Sequence, residues 1–342
     1  MEKPSVLISV LNWNKAQITL QCLSSLLEME RDGMRVDVLV IDNGSEQADY
    51  VTLRDAISAD WMQVRRVERN LGFTGGQNES LKFALEKQYD FVWMLNNDAT
   101  VLPDTLVKLV KAIRADDRCG AVSPVISPGD DGRPDNAWGF TQDWKTRNVA
   151  WIESEAESRA LHERHPERIS LAGTAILLRV QAIREVGLLD DRLFAYFDDN
   201  DLGARLAKGG WHSKVVFEAT TTHGLPELTE RPLYFFYLMY RNELFFWHTN
   251  MPQEFRKLLW LKLVNQSLFN VNRLRRRGMQ RQADMALLGI SDFIRGKGGP
   301  VNLARKAPAP VQLLLRVAAW LHRKQLRATD LPTANVKTTA VP

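Results

Sequence analysis

Four apolar runs in the first hundred residues, at 6–11, 36–41, 62–67 and 91–95, alternate with helical patterns at 18–29, 51–57 and from about 77 to 87. A short β-prone run followed by a 3.6-residue period marks a strand feeding a crossover helix. Repeated in series, that unit gives an α/β fold: a Rossmann-like, mostly parallel sheet wrapped by helices on both faces. Pro103 then stands where another helix should start, with Leu106, Leu109, Val110 and Ile113 on one face. Loops at the carboxyl ends of parallel strands form the ligand crevice of such sheets. Residues just after each apolar run are therefore expected to converge, however far apart they lie in sequence.

The rhythm is lost between 127 and 168, where Pro128, Gly129, Gly132 and Pro134 make a loop and Trp138, Trp144 and Trp151 punctuate polar sequence. This stretch reads as an insertion, with a hairpin, lying over the site. Regular pattern resumes at 169–178, and a helix is expected over 201–208. From 232 to about 295 the chain reads as a C-terminal helical extension. A Pro/Lys/Gly-rich break (297–310) precedes an amphipathic segment (311–327) and a tail expected to be disordered. The expected regions are thus 1–230, 231–296 and 297–342.

Charge is unevenly placed. Residues 251–342 hold 17 Lys+Arg against 4 Asp+Glu, whereas the preceding 250 hold 28 against 37. The basic end calls for an acidic partner, and a surface of anionic lipid fits best. A solvated helix face or a homo-oligomer interface is the structural alternative. Nucleic acid fits less well, because no aromatic-interleaved basic motif is present. Cys22 and Cys119 fall in apolar patterns, which suits buried thiols in a reducing cytoplasm. The N-terminus lacks a signal-peptide pattern, and no apolar run reaches the roughly 18 residues needed to span a bilayer. A cytoplasmic protein, peripheral at most on the inner membrane face, is the expectation.

Polar motifs follow the apolar runs. Asn12 closes the first, and Asp42-Asn43-Gly44-Ser45 closes the second. A strand-end acid such as Asp42 suits a nucleobase N–H or ribose hydroxyls, although an Asx turn would use the same residues. In Asn70-Leu71-Gly72-Phe73-Thr74-Gly75-Gly76-Gln77-Asn78, glycines and an expected helix N-terminus suit close approach to an anion. Neither the dinucleotide fingerprint nor the P-loop pattern is met. Asn96-Asn97-Asp98 after the fourth run suits a hard divalent cation bridging two phosphates; a capped turn is the plain alternative. Asp198-Asp199-Asn200-Asp201 places three carboxylates in four positions beside aromatics. Repulsion there favours protonation of at least one, useful for a base working near neutral pH. Asp201 is expected to pair with Arg205 at i,i+4, leaving Asp199 or Asp198 for proton abstraction. His223 is a candidate metal or diphosphate contact.

Taken in order, Asp42-Asn43-Gly44-Ser45, the Asn70–Asn78 stretch, Asn96-Asn97-Asp98, Ala172-Gly173-Thr174, Asp198-Asp199, His223 and Tyr240-Arg241-Asn242 resemble the family 2 glycosyltransferases with the A-type fold, particularly the rhamnosyltransferase-like branch. The resemblance covers roughly residues 5–247. It implies an inverting, metal-dependent enzyme that moves a sugar from a nucleotide diphosphate to an acceptor hydroxyl. Asp42 would hold the nucleotide, and Asp98 would hold Mg2+ or Mn2+ on the diphosphate. The second acid of the pair, Asp199, would be the catalytic base. Asp198 stands where the family has Glu, which leaves both acids as candidates. The metal motif has one acid instead of two, and His223 lacks the Ser-containing stretch that usually follows it. Asn12, Asn43, Gly72, Gly75, Gly76, Asn78, Asn96, Asn97, Gly173, Thr174 and Arg241 complete the expected nucleotide-sugar contacts. The branch suggests dTDP-rhamnose as donor, with UDP- and GDP-sugars left open, and the basic C-terminal helices, with Arg273–Arg277, Arg281 and 311–327 against the membrane face, suggest a glycan or polyprenyl-diphosphate-linked glycan as acceptor. A nucleotidyltransferase, a catalytically inactive sugar-nucleotide or glycan-binding module, and a basic nucleic-acid scaffold are the competing classes. The first should carry a basic glycine loop after the first strand, where this chain has Leu11-Asn12-Trp13-Asn14.

Overall fold

Strand β1 (Ser5–Asn12) is buried on both faces, as a central strand covered by helices on each side must be. Around it the computed structural model, which describes residues 3–128, 138–152, 154–223 and 231–323, builds two compact units. One gathers the described parts of 1–142, 150–190 and 198–225; the other gathers those of 143–149, 191–197 and 226–342.

The first unit continues through α1 (Ala16–Leu27), β2 (Arg35–Asn43), α2 (Gln47–Ala56), β3 (Met62–Val67), α3 (Gly72–Glu86), β4 (Phe91–Leu95), β5 (Thr100–Val101), α4 (Thr105–Arg114) and β6 (Cys119–Ser127). It goes on with β7 (Phe140–Asp143), β8 (Asn148–Trp151), α5 (Glu155–Arg164), β9 (Ile169–Ser170), β10 (Ala175–Arg179), α6 (Val180–Val186), α7 (Asp198–Lys208) and β11 (His212–Thr222). Eight strands form the main sheet in the order β3-β2-β1-β4-β10-β6-β11-β5. The first four pair in parallel, as do β6 and β11, whereas β10 runs antiparallel between β4 and β6. This is the mostly parallel, helix-wrapped sheet expected from the alternating pattern.

Helix α4 shows why the pattern was readable. Leu106, Leu109, Val110 and Ile113 are buried, each contributing about 2 kcal/mol by leaving water, while Lys111 and Arg114 suit the negative end of its dipole. Placing a charge at Leu109 would break this face. Helix α3 lies so close to β1 that a Cβ on Gly76 would sit 2.3 Å from Leu11 Cδ1. Both cysteines are buried, and burial pushes the Cys22 thiol up to about 12 and Cys119 to about 11. Neither is a ready nucleophile.

A second sheet, β8-β7-β9, and α5 occupy the segment expected as an insertion. Its loop residues Gly129, Gly132 and Pro134 lie outside the described residues. So do Gly224 onward to residue 230 and the tail from 324. The single run expected over 169–178 is two strands, β9 and β10, separated by the turn that carries Ala172-Gly173-Thr174. Helix α7 begins at Asp198, three residues earlier than expected.

The second unit is helical: α8 (Leu233–Asn250), α9 (Leu259–Leu261) leading through a π-helical stretch (Lys262–Leu268) into α10 (Phe269–Arg276), then α11 (Gln280–Ile294) and α12 (Ala309–Leu321). Its core gathers Phe235, Phe236, Leu244, Leu274, Leu288 and Leu315. A Cβ on Gly289 would lie 2.3 Å from Tyr237 O, so α11 needs a glycine to approach the α8 backbone. Two findings differ from the expected limits. Segments 143–149 and 191–197 belong with the helices, and α12 shares their core through Leu315 and Ala318 instead of standing beyond a linker.

Candidate active site

The parallel register sets Asn12 beside Asp42, at the carboxyl ends of β1 and β2. Asn12 Nδ2 reaches Asp42 Oδ1 at 3.1 Å, Ser45 Oγ at 3.2 Å and Asp49 Oδ2 at 2.9 Å. Arg66 Nε approaches the other Asp42 oxygen at 3.4 Å. Asp42 and Asn12 are fully enclosed. A buried carboxylate needs such partners to remain charged. What this corner offers to solvent is Trp13, 47% exposed immediately after β1. Sequence reasoning passed over Trp13, Asp49 and Arg66; an exposed aromatic after a strand was the one signal available.

The glycine-rich stretch is helix, not loop, from Gly72 onward. Several expected ligand contacts there turn inward. Asn43 Nδ2 donates to Asn70 Oδ1 and Gly72 O, and its Oδ1 accepts from Leu71 N. Asn78 donates to Leu189 O and accepts from Leu189 N. Gly75 and Gly76 are buried in α3, and Gly76 serves its close packing on β1. Asn43, Gly76 and Asn78 therefore serve the scaffold through these contacts. Both explanations fit the same sequence, since small residues and amides satisfy backbone as readily as they satisfy phosphate.

The turn after β4 is different. Asp98 is 52% exposed in its side chain, with Oδ1 3.1 Å from His223 Nε2 at the end of β11. Asn96 Nδ2 lies 3.5 Å from the same nitrogen. Burial raises the Asp98 pKa, but the His223 hydrogen bond and charge outweigh it and hold the carboxyl below its usual range. His223 Nδ1 is buried with no hydrogen-bond partner among the described residues. Asn97 Nδ2 donates to Thr19 Oγ1, which in turn donates to Asn12 Oδ1. Thr19 lies within α1, and nothing in its sequence position marked it.

From Asn96 the connection continues to the acid pair. Asn96 N donates to Thr174 O at 2.8 Å, and Gly173 N donates to Asp199 Oδ2 at 3.0 Å. Asn200 N holds the other Asp199 oxygen at 2.8 Å. Burial, the largest influence, pushes the Asp199 carboxyl above its usual range despite these donors. Asp198 is the more deeply buried of the two by surface exposure. Asp201 pairs with Arg205 at 2.8 Å, as its spacing implied. Hydrogen bonds thus join Asp42, Asn12, Thr19 and Asn97 on one side, and Asn96 with Thr174 and Gly173 with Asp199 on the other, the two sets meeting through the adjacent residues Asn96 and Asn97.

Arg241 has a role the sequence did not suggest. It lies in the helical unit with no exposed surface. Its guanidinium donates to Asn242 Oδ1, Tyr237 Oη and the carbonyls of Gly299, Arg192 and Leu193. Those donors are taken up by side chains and backbone carbonyls of the same helical unit. Asn242 Nδ2 meets the carbonyls of Leu193, Ala195 and Tyr196 at 2.7–3.0 Å. The segment so held contains Phe194, Tyr196 and Phe197 at φ of 67°, 69° and 64°. A left-handed non-glycine residue costs about 1 kcal/mol or more.

The mostly parallel, helix-wrapped sheet thus carries an exposed acid, Asp98, beside the buried His223, and a second acid, Asp199, at the start of α7. The model of glycosyl transferase family 2 matches residues 5–187, more than half of the chain, and the protein belongs to that family of nucleotide-sugar glycosyltransferases. Over 61 residues it is 43% identical to N-acetylglucosaminyl-diphospho-decaprenol L-rhamnosyltransferase of Mycobacterium tuberculosis, in two strains. That match spans 18% of this chain and 20% of the relative. Among solved structures, the mannosyltransferase PcManGT of Pyrobaculum calidifontis, in complex with GDP-Man and Mn2+, aligns over 95% of this chain and 83% of its own, with a TM-score of 0.53 at 16% identity. S. aureus TarS 1-349 aligns over 95% and 88%, with a TM-score of 0.54 at 16% identity. These likenesses establish the A-type fold.

Proposed function

We propose that the chain is an inverting, metal-dependent glycosyltransferase using a nucleotide-diphosphate sugar, with dTDP-rhamnose the first donor to try. The observation that carries this reading is the way hydrogen bonds and short chain links tie Asp42, the Asp98 turn and Asp199 together within one unit. The local identity to a rhamnosyltransferase supports the choice of donor.

Among the described residues no three His, Cys, Asp or Glu side chains gather into a metal cage. Asp98 and His223 nevertheless suit a divalent cation whose remaining ligands come from diphosphate and water, as hard cations with few protein carboxylates require. Bound there, Mg2+ or Mn2+ would neutralise charge on the departing diphosphate. The acceptor oxygen attacks the anomeric carbon as the bond to the β-phosphate oxygen breaks. Asp199 takes the acceptor proton, and the nucleoside diphosphate leaves with the bonding electrons. A carboxylate whose pKa is raised by burial is the better base for this step. Gly173 N–H fixes its orientation. One displacement inverts configuration.

The acceptor is a glycan or a polyprenyl-diphosphate-linked glycan, met at the inner membrane face. No helix among the described residues is long and apolar enough to cross a membrane. Helix α12 instead presents Leu313, Val317, Trp320 and Leu321 to solvent along one side, with Arg316 and Arg323 beside them. An apolar stripe flanked by arginines suits the headgroup boundary of anionic lipid. Sedimentation with phosphatidylglycerol vesicles should capture the protein and lose it on Trp320→Ser with Leu313→Ser. Equal recovery with neutral vesicles, or a dimer formed through this face, would overturn the lipid assignment. The transferase reading is tested by a donor screen with Mn2+ and Mg2+, scoring nucleoside diphosphate release.

A further inference from the structure

We infer that Arg241 and Asn242 are positioning residues for the catalytic acid, holding the segment 191–197 in the strained form from which α7 and Asp199 begin. This rests on the transferase reading for Asp199 but goes beyond it, because it has both residues act through the backbone of 191–197.

Three observations converge on one peptide stretch. Phe194, Tyr196 and Phe197 all adopt left-handed backbone, and none is glycine. Such a run persists only where its surroundings over-determine it. The carbonyls of Arg192, Leu193, Ala195 and Tyr196 are held by two adjacent side chains of α8, Arg241 and Asn242. The next peptide bond after Phe197 enters Asp198, the first residue of α7, and Asp199 follows.

The aromatic side chains agree with this order. Tyr196 meets Phe235 edge-on with ring centroids 5.1 Å apart, and Phe197 lies 5.8 Å from Phe246. Those contacts use the directions that the left-handed backbone gives the side chains. The rings supply burial, and the amide and guanidinium supply the dihedral angles. If the carbonyl contacts are removed, these residues relax toward ordinary extended or right-handed backbone. The chain direction entering α7 then changes, and with it the position of Asp199 relative to Gly173 N. A misplacement of the base by a fraction of an ångström lowers the chemical step more than substrate binding.

The test compares Asn242→Asp and Asn242→Ala with Leu315→Ala, a core variant of the same helical unit that touches none of these bonds. Asn242→Asp has nearly the same shape but replaces the donating amide with a carboxylate facing three carbonyls. At temperatures where all are folded, we expect Asn242→Asp to lose roughly 10- to 100-fold in kcat with the donor Kd changed less than about twofold. Amide hydrogen exchange of 191–200 should accelerate at the same time. Arg241→Lys, which keeps a donor, should fall between Asn242→Asp and wild type. Leu315→Ala should keep kcat and slow exchange at 191–200 even if its Tm falls as far. The inference is overturned if kcat simply tracks Tm across all variants, if the loss appears only in donor Kd, or if exchange at 191–200 does not change. Failure of the transferase reading is separate: wild type would then release no nucleoside diphosphate from any donor, while exchange would still report whether the two side chains hold the segment.

Discussion

The two units use buried polar groups in opposite ways. In the sheet unit, the enclosed Asn12 and Thr19 and the half-buried Asn97 connect strand ends, beside the half-exposed Asp98. In the helical unit, the buried ions close on the protein itself. Asp292, fully enclosed, accepts from Tyr237, Arg295 and Arg305 at 2.6–2.9 Å. Lys262 pairs with Glu243 and donates to Arg147 O. A polar motif in sequence therefore does not reveal its own purpose; the presence of a reachable, incompletely satisfied atom does.

Asp199→Asn breaks this contrast most sharply. It should lower kcat roughly 10³-fold, the range of a lost general base, while calorimetry shows donor binding unchanged. Next in size is Asp98→Asn, expected to cost about 3 kcal/mol of transition-state stabilisation, or roughly 10²-fold in kcat/KM. Removing metal with EDTA should give a similar loss, reversible by Mn2+. The pH profile sharpens the assignment of the base. Asp199 must be deprotonated to act, and burial raises its pKa. Activity should therefore fall as pH drops through a limb lying above the ordinary carboxylate range, and that limb should vanish with Asp199→Asn.

In the helical unit the expected effects are on stability. Burial acts to raise the Asp292 pKa, but Arg305, Tyr237 and Arg295 outweigh it and leave the group below its usual range. A depressed acid contributes stability present above the unfolded value, about pH 4, and lost as pH falls through the folded value. Asp292→Ala should cost about 3 kcal/mol in urea unfolding, near the low end for a broken buried pair because both arginines reach solvent.

Much of the sheet could be read in advance because periodicity and burial act locally: β1, β2 and β4 declare themselves by unbroken apolar runs, and α4 by its spacing. The Asp201–Arg205 pair was legible for a related reason, since its i,i+4 spacing is local. The scaffold partners of Asn43, Asn78 and Gly76 lie elsewhere in the chain, at Leu71, Leu189 and Leu11, where no local pattern points to them. The structural bonds of Arg241 were hidden for the same reason, because its acceptors at Arg192 and Leu193 are some fifty residues earlier. The bridging role of Thr19 had no local mark at all.

The most direct test of the central claim is real-time NMR of the transfer reaction, run with Mn2+ and a panel of dTDP-, UDP- and GDP-sugars. The account predicts that one donor releases its nucleoside diphosphate and that the new glycosidic bond has the opposite anomeric configuration to the donor. Retained configuration, or transfer undiminished in Asp199→Asn, would contradict it.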